Sequence, residues 1–173
     1  GIPRLISGFG PDQLGTLDGC LAAKDSLATA ADLLADSGLT FGIHNHWWEF
    51  DHQFDGQYPE DILLSADPSI FAELDVYWVT CGGAVAAEQV ARLSSRVPLL
   101  HIKDGPLVKD QPMVAVGSGK MDFRKVIGAA DPKVLQWLVV ELDACATDML
   151  QAVRASYDWL VGNGFARGRR APA

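Results

Sequence analysis

Four ionisable residues of this 173-residue chain, Glu49, Asp75, His101 and Glu141, each close an apolar run that reads as a buried β-strand. The runs are Thr40-Phe-Gly-Ile-His-Asn-His-Trp-Trp-Glu49, Ile70-Phe-Ala-Glu-Leu-Asp75, Val97-Pro-Leu-Leu-His101 and Leu135-Gln-Trp-Leu-Val-Val-Glu141. Strands of a parallel sheet are buried on both faces, so they read as continuous hydrophobic stretches. An ionisable group at the end of one costs free energy unless it has a partner. Four at the same relative position point to side chains converging on one face, where a cation would offset their burial. Each residue also has a plainer reading. Asp75 can cap the following loop, Glu49 and Glu141 can pair with Lys or Arg, and His101 can be a satisfied core histidine. For one residue alone the plainer reading is the better one; for four aligned positions the metal site leads.

The elements that would carry these residues alternate along the chain. Strands are expected over residues 5–8, 40–46, 70–78, 97–103 and 135–142, and helices over 17–35, 60–66, 86–94 and 123–130. A last helix carries Met149, Leu150, Val153, Tyr157, Leu160 and Val161 on one face, and Gly162 and Gly164 end it. Five βα repeats imply a parallel sheet. An open doubly wound sheet would gather ligand groups mainly at its switch point. Four consecutive strands each ending in a candidate favour a closed (β/α)8 barrel, whose chemistry sits at the C-terminal ends of the strands. A barrel needs eight strands and about 250 residues, so five strands make an incomplete one. The expected domain covers residues 1–166, with a disordered basic tail over 167–173.

Composition narrows the function classes. The hydrophobic content of 49% suffices for the core of one domain. A net charge of −8 speaks against a nucleic-acid partner, which would call for a basic stripe. No run of 18 apolar residues is present, so no membrane span is expected. Cys20, Cys81 and Cys145 are far apart and form no CxxC pair, which fits reduced thiols packed as small hydrophobes in a cytoplasmic compartment. The chain opens on Gly1 without an initiator Met or a signal-like stretch, so Gly1 reads as a cut end that leaves any targeting segment upstream.

Five strings taken in order, His44-Asn-His-Trp-Trp-Glu-Phe50, Glu73-Leu-Asp-Val-Tyr-Trp78, His101-Ile-Lys-Asp104, Val116-Gly-Ser-Gly119 with Met121-Asp-Phe123, and Val140-Glu-Leu-Asp143, resemble the sugar phosphate isomerase/epimerase family of xylose-isomerase-like TIM barrels. Each string alone is weak; the ordered set, from about residue 5 to 164, is specific. The resemblance implies that these are the fourth to eighth strands of the barrel. It also implies one divalent metal held by Glu49, Asp75, His101 and Glu141. Three carboxylates and one imidazole suit Mn²⁺, Mg²⁺ or Co²⁺ better than a thiolate-bound zinc.

By the same resemblance, Glu49 and Glu141 are the acid/base pair of a sugar or polyol isomerase or epimerase working through an enediolate. An inosose-dehydratase-type lyase and a non-catalytic sugar-binding fragment stay open as alternatives. His46 and His44 share a strand phase and are candidates for orienting substrate hydroxyls. Trp78 stands where some ketose epimerases carry a substrate-binding His, and Lys103 shares the strand face of His101. Glu73, two residues before Asp75, would lie deeper on the same face. Gly117-Ser-Gly119 resembles a phosphate cradle but is explained as loop geometry, with Asp104 and Asp143 tying down their loops. The expected partners are a small sugar or polyol and, because two sheet edges lack neighbours, either a second copy or a chain supplying the missing strands.

Overall fold

Apolar runs of four or five residues, each followed by a helix that covers one face, fold here as successive βα units. The structure, a computed structural model, describes residues 2–168. Five strands, β1 (Arg4–Ser7), β2 (Thr40–His44), β3 (Phe71–Asp75), β4 (Leu99–Ile102) and β5 (Trp137–Val140), pair in parallel and in chain order. They form a curled half-barrel, an incomplete TIM barrel. The curl lets Arg4, on one edge strand, hydrogen-bond Gln136 just ahead of the other.

Helices α1 (Pro11–Leu14), α2 (Leu17–Leu34), α3 (Pro59–Leu64), α4 (Val76–Cys81), α5 (Ala86–Leu93), α6 (Phe123–Gly128) and α7 (Met149–Gly162) supply the outer layer and the connections. The core lies between them and the convex face of the sheet, where Ile43, Ala72, Leu74, Leu100 and Ile102 are buried. Their neighbours in sequence turn to the concave face, because side chains alternate along a strand. Among the described residues no helix is long and apolar enough to cross a membrane. The three cysteines are free.

Three sequence expectations need correction. The apolar run from Ile70 to Trp78 is not one strand: Asp75 ends β3 and caps α4, its Oδ1 accepting the Trp78 N–H at 2.9 Å. The strand starting at Thr40 ends at His44, so Glu49 is not a strand-end residue. On α7 the buried residues are Ala152, Ser156 and Leu160, whereas Leu150, Val153 and Tyr157 are exposed. The tail expected over 167–173 lies outside the described residues from position 169 onward.

One buried carboxyl group has no hydrogen-bond partner. Glu60, in the first turn of α3, has no exposed surface, and neither of its carboxylate oxygens has a hydrogen-bond partner. Burial pushes its pKa well above the ordinary value, and the nearby Glu49 and Asp61 add to this while Arg92 and Arg96 oppose it. The folded chain therefore retains a proton that the unfolded chain releases, so this residue's contribution to stability falls as pH rises above the ordinary glutamate range. Glu60→Gln is expected to melt near the parent at pH 4 and above it at pH 8. The gain at pH 8 reflects the proton that the buried glutamate must take up on folding and the amide need not, since both side chains lack hydrogen-bond partners there. Thermal denaturation at the two pH values checks this.

Candidate metal centre

The register of the sheet brings four side chains to one height. His44 lies opposite Glu73, Asp75 opposite His101, and His101 opposite Val139. Strands in a barrel are tilted and staggered, so the residue at constant height moves two positions onward from β2 to β3 and again from β4 to β5. His44, Asp75, His101 and Glu141 are the result: one ligating atom from each lies within 4.8 Å of the others. Glu49 is not in this group. It stands five residues beyond the end of β2, turned inward and nearly fully buried, where its Oε2 accepts the His46 N–H at 2.8 Å. The place given to Glu49 by its run is taken by His44.

Hydrogen bonds hold the strand ends in position. Asn45 is fully buried and matches the backbone of Asp75, its Oδ1 accepting the Asp75 N–H at 2.8 Å and its Nδ2 donating to the Asp75 carbonyl at 3.3 Å. The amide thus extends the pairing of β2 with β3 one residue past its end. Asp75 divides its two oxygens: Oδ1 caps α4, and Oδ2 is left buried without a hydrogen bond. Capping and ligation, set against each other in the sequence, are both open to this residue.

The electrostatics favour positive charge. Lys103, almost fully buried, places Nζ 3.1 Å from Asp75 Oδ2, 2.9 Å from Glu141 Oε2 and 2.9 Å from Asp143 Oδ2. Burial alone would lower its pKa, but these carboxylates raise it. His101 Nδ1 is 2.7 Å from Glu141 Oε2. Against the effect of burial, Glu141, Glu73 and Asp75 raise its pKa to about 9. The contacts with His101 and Lys103 in turn lower Glu141 to about 2. Burial raises Asp75 to about 6 despite Lys103. Burial, with His101 next to it, lowers His44 to about 4, which keeps that imidazole neutral and able to ligate. Burial raises Glu49 to about 8, so it differs from the cluster carboxylates in protonation as well as in place.

Around the cluster, His46 stacks on Trp48 with centroids 4.2 Å apart and meets the His44 ring edge-on at 5.0 Å. Trp78, in α4, lies with Lys103 Nζ 5.3 Å from its ring. His46 Nδ1 and the Trp78 indole N–H are both buried without a partner. The glycine loop is not a phosphate cradle. The fully buried Asp104 accepts the N–H groups of Gly105, Gly117, Gly119 and Met121 at 2.9, 2.9, 2.9 and 3.1 Å. A Cβ at Gly119 would collide with that carboxylate. Asp143 ion-pairs with Lys103.

Sequence reasoning did not find His44 as a member of the group, nor Asn45. The signal for His44 was its position in the last pair of the apolar run before the Trp pair. For Asn45 there was none.

Lys103→Met should destabilise the chain by about 3–5 kcal/mol, the cost of leaving a buried charge without its partner, because Asp75 has no exposed surface. Chemical denaturation of the two forms measures the difference.

A family model described as a xylose isomerase-like TIM barrel matches residues 4–161. Two sugar phosphate isomerase/epimerase structures from Parabacteroides distasonis resemble the chain at 25% and 27% identity, with TM-scores of 0.78 and 0.76, each over 94% of it. The chain spans 58% and 60% of their lengths. The structure of an IolI protein with a bound zinc atom shares the fold at 15% identity, with a TM-score of 0.68, over 92% of this chain and 62% of its own. No curated protein matches the chain.

Proposed function

The chain belongs to the xylose isomerase-like TIM-barrel family, and on that premise we propose that it is a divalent-metal-dependent isomerase or epimerase of a sugar or polyol-derived ketone. The observation that carries the reading is the convergence of His44, Asp75, His101 and Glu141, one ligating atom from each within 4.8 Å of the others. Two imidazoles and two carboxylates fit a divalent ion, and their two negative charges balance it. With two nitrogen donors the set is softer than the three-carboxylate set expected from the sequence, so zinc joins Mn²⁺, Mg²⁺ and Co²⁺ as a candidate. The zinc-bound IolI structure shares only the fold and adds no more than that analogy.

Such an ion would polarise a substrate carbonyl and stabilise the charge that develops when the neighbouring carbon loses a proton. Glu141 is the base in this reading. Its pKa, lowered to about 2, keeps it ionised at neutral pH, and its side chain is 40% exposed, so a substrate can reach it. Lys103 holds that carboxylate in place. His46 and the Trp78 indole N–H, both with unpartnered buried nitrogens, are the groups left to bind substrate hydroxyls. Glu49, hydrogen-bonded to the His46 backbone N–H, acts by fixing that loop rather than by ligating.

Two measurements test the reading. Titration with Mn²⁺ or Zn²⁺ should show one site per chain that is lost in His44→Ala and His101→Ala and kept in Glu49→Gln; loss in Glu49→Gln alone would restore Glu49 as a ligand. Incubation with ketoses in deuterated water should place deuterium next to the carbonyl, and Glu141→Gln should slow this by about 10²–10⁴-fold, as loss of a general base does. Full exchange in that variant would remove Glu141 from the role.

We also propose that the free edges of β1 and β5 are covered by further strands, from a second copy or from another polypeptide stretch. Leu5 and Trp137 on those strands are 47% and 57% exposed, and unpaired strand edges are templates for pairing. Sedimentation across concentrations should show self-association of the 173-residue chain. A concentration-independent monomer would contradict the second-copy arrangement.

A further inference from the structure

Asp143 stands beside the cluster without belonging to it. It lies two residues past Glu141, and both side chains reach Lys103 Nζ, so they share the concave face, with Asp143 nearer its mouth. Both of its oxygens accept from Lys103 Nζ, at 3.1 and 2.9 Å. The side chain is still 46% exposed, and each oxygen keeps a lone pair. This pairing is not what holds the local backbone. Met113 does that, donating to the Ala144 carbonyl at 2.8 Å and accepting the Ala146 N–H at 2.8 Å. Nor does Lys103 need Asp143 for neutralisation, because Asp75 and Glu141 lie within 3.1 Å of the same ammonium.

A donor without an acceptor lies on the same side. Trp78 packs in one apolar cluster with Leu142, the residue before Asp143, and its ring centroid is 5.3 Å from Lys103 Nζ. Its indole N–H is buried with no partner. A hydroxyl group both gives and accepts a hydrogen bond, so it suits a place between a carboxylate and an N–H.

We propose that Asp143 is a specificity-determining residue. It accepts a hydrogen bond from a substrate hydroxyl carried beyond the two reacting carbons, and so selects polyhydroxylated chains over small ketones. The inference rests on the isomerase reading above. The cluster would hold the reacting end of the substrate, and Asp143, further toward the mouth, meets the part that extends outward. Lys103 fixes the carboxylate before any substrate arrives, so little side-chain freedom is lost on binding. A hydrogen bond to an ionised acceptor is also stronger than one between neutral groups.

Two probes in the zinc-loaded chain test this. Hydroxyacetone has no hydroxyl beyond its carbonyl and the neighbouring carbon, whereas ribulose has several. Solvent deuterium should enter ribulose with the higher kcat/KM. Asp143→Asn and Asp143→Ala should lower that value about 10–100-fold more than they lower the value for hydroxyacetone, as loss of a hydrogen bond to a charged group does. A second readout needs no turnover: ribitol, which cannot react, should shift the Trp78 indole N–H resonance, and both variants should bind it more weakly by a similar factor. Equal losses for the two ketones would overturn the proposal, because a carboxylate that merely held Lys103 would treat them alike. An unchanged ribitol affinity in the variants would overturn it too. If the unaltered chain exchanged neither ketone, the isomerase reading would fail and this role with it. Exchange in the unaltered chain without preference for ribulose would sink the role of Asp143 alone.

Discussion

The stagger between parallel strands is the constraint on which everything else in this molecule depends. A flat sheet in straight register would set His44 beside Glu73 and His101 beside Val139, and no four-membered group would form. Tilting the strands, as barrel curvature requires, moves the residue at a given height onward by two at alternate pairings. Asp75 and Glu141 thereby reach the level of His44 and His101. The shift must be an even number, because a shift of one would turn every side chain to the other face. The Asn45 clamp on the Asp75 backbone and the Asp104 tether on the glycine loop hold the strand ends at which this alignment matters.

That alignment concentrates charge in a place that repels it. Asp75 has no exposed surface and Lys103 almost none, and isolated charges there would cost far more than the fold can carry. The molecule answers with a chain of alternating charge, from Asp143 and Glu141 through Lys103 to Asp75, with His101 between Glu141 and Glu73. Glu49 and Glu60 follow the other rule. Buried without an ion pair, both keep their protons more tightly than an exposed glutamate. A carboxylate with a cationic neighbour ionises and one without it does not, so the same residue type fills two roles in one small half-barrel.

Much of this was legible in the sequence because periodicity reports burial. Continuous apolar runs alternating with helical spacing gave five parallel strands, and the incomplete barrel follows from them. Asp75, His101 and Glu141 stood out because they end runs that cannot tolerate unpaired charge. Glu49 was misplaced for a physical reason. The apolar residues after His44, Trp47, Trp48 and Phe50, belong to a partly buried loop that follows β2, and in sequence a buried loop looks like more strand. The run through Trp78 misled in the same way, since α4 is apolar and only the capping role of Asp75 marks its start. The contacts of Glu73 and Asn45 depend on register between strands about 30 residues apart, which one sequence does not print.

The central claim is that His44, Asp75, His101 and Glu141 form the metal site. Anomalous diffraction from crystals of the chain grown with Mn²⁺ tests it most directly, because it locates the ion without reference to activity. The account predicts a single strong anomalous peak within bonding distance of those four side chains, with Glu49 outside its coordination. A peak bound by the Glu49 carboxylate, or the lack of any peak at the cluster with manganese in excess, would contradict it.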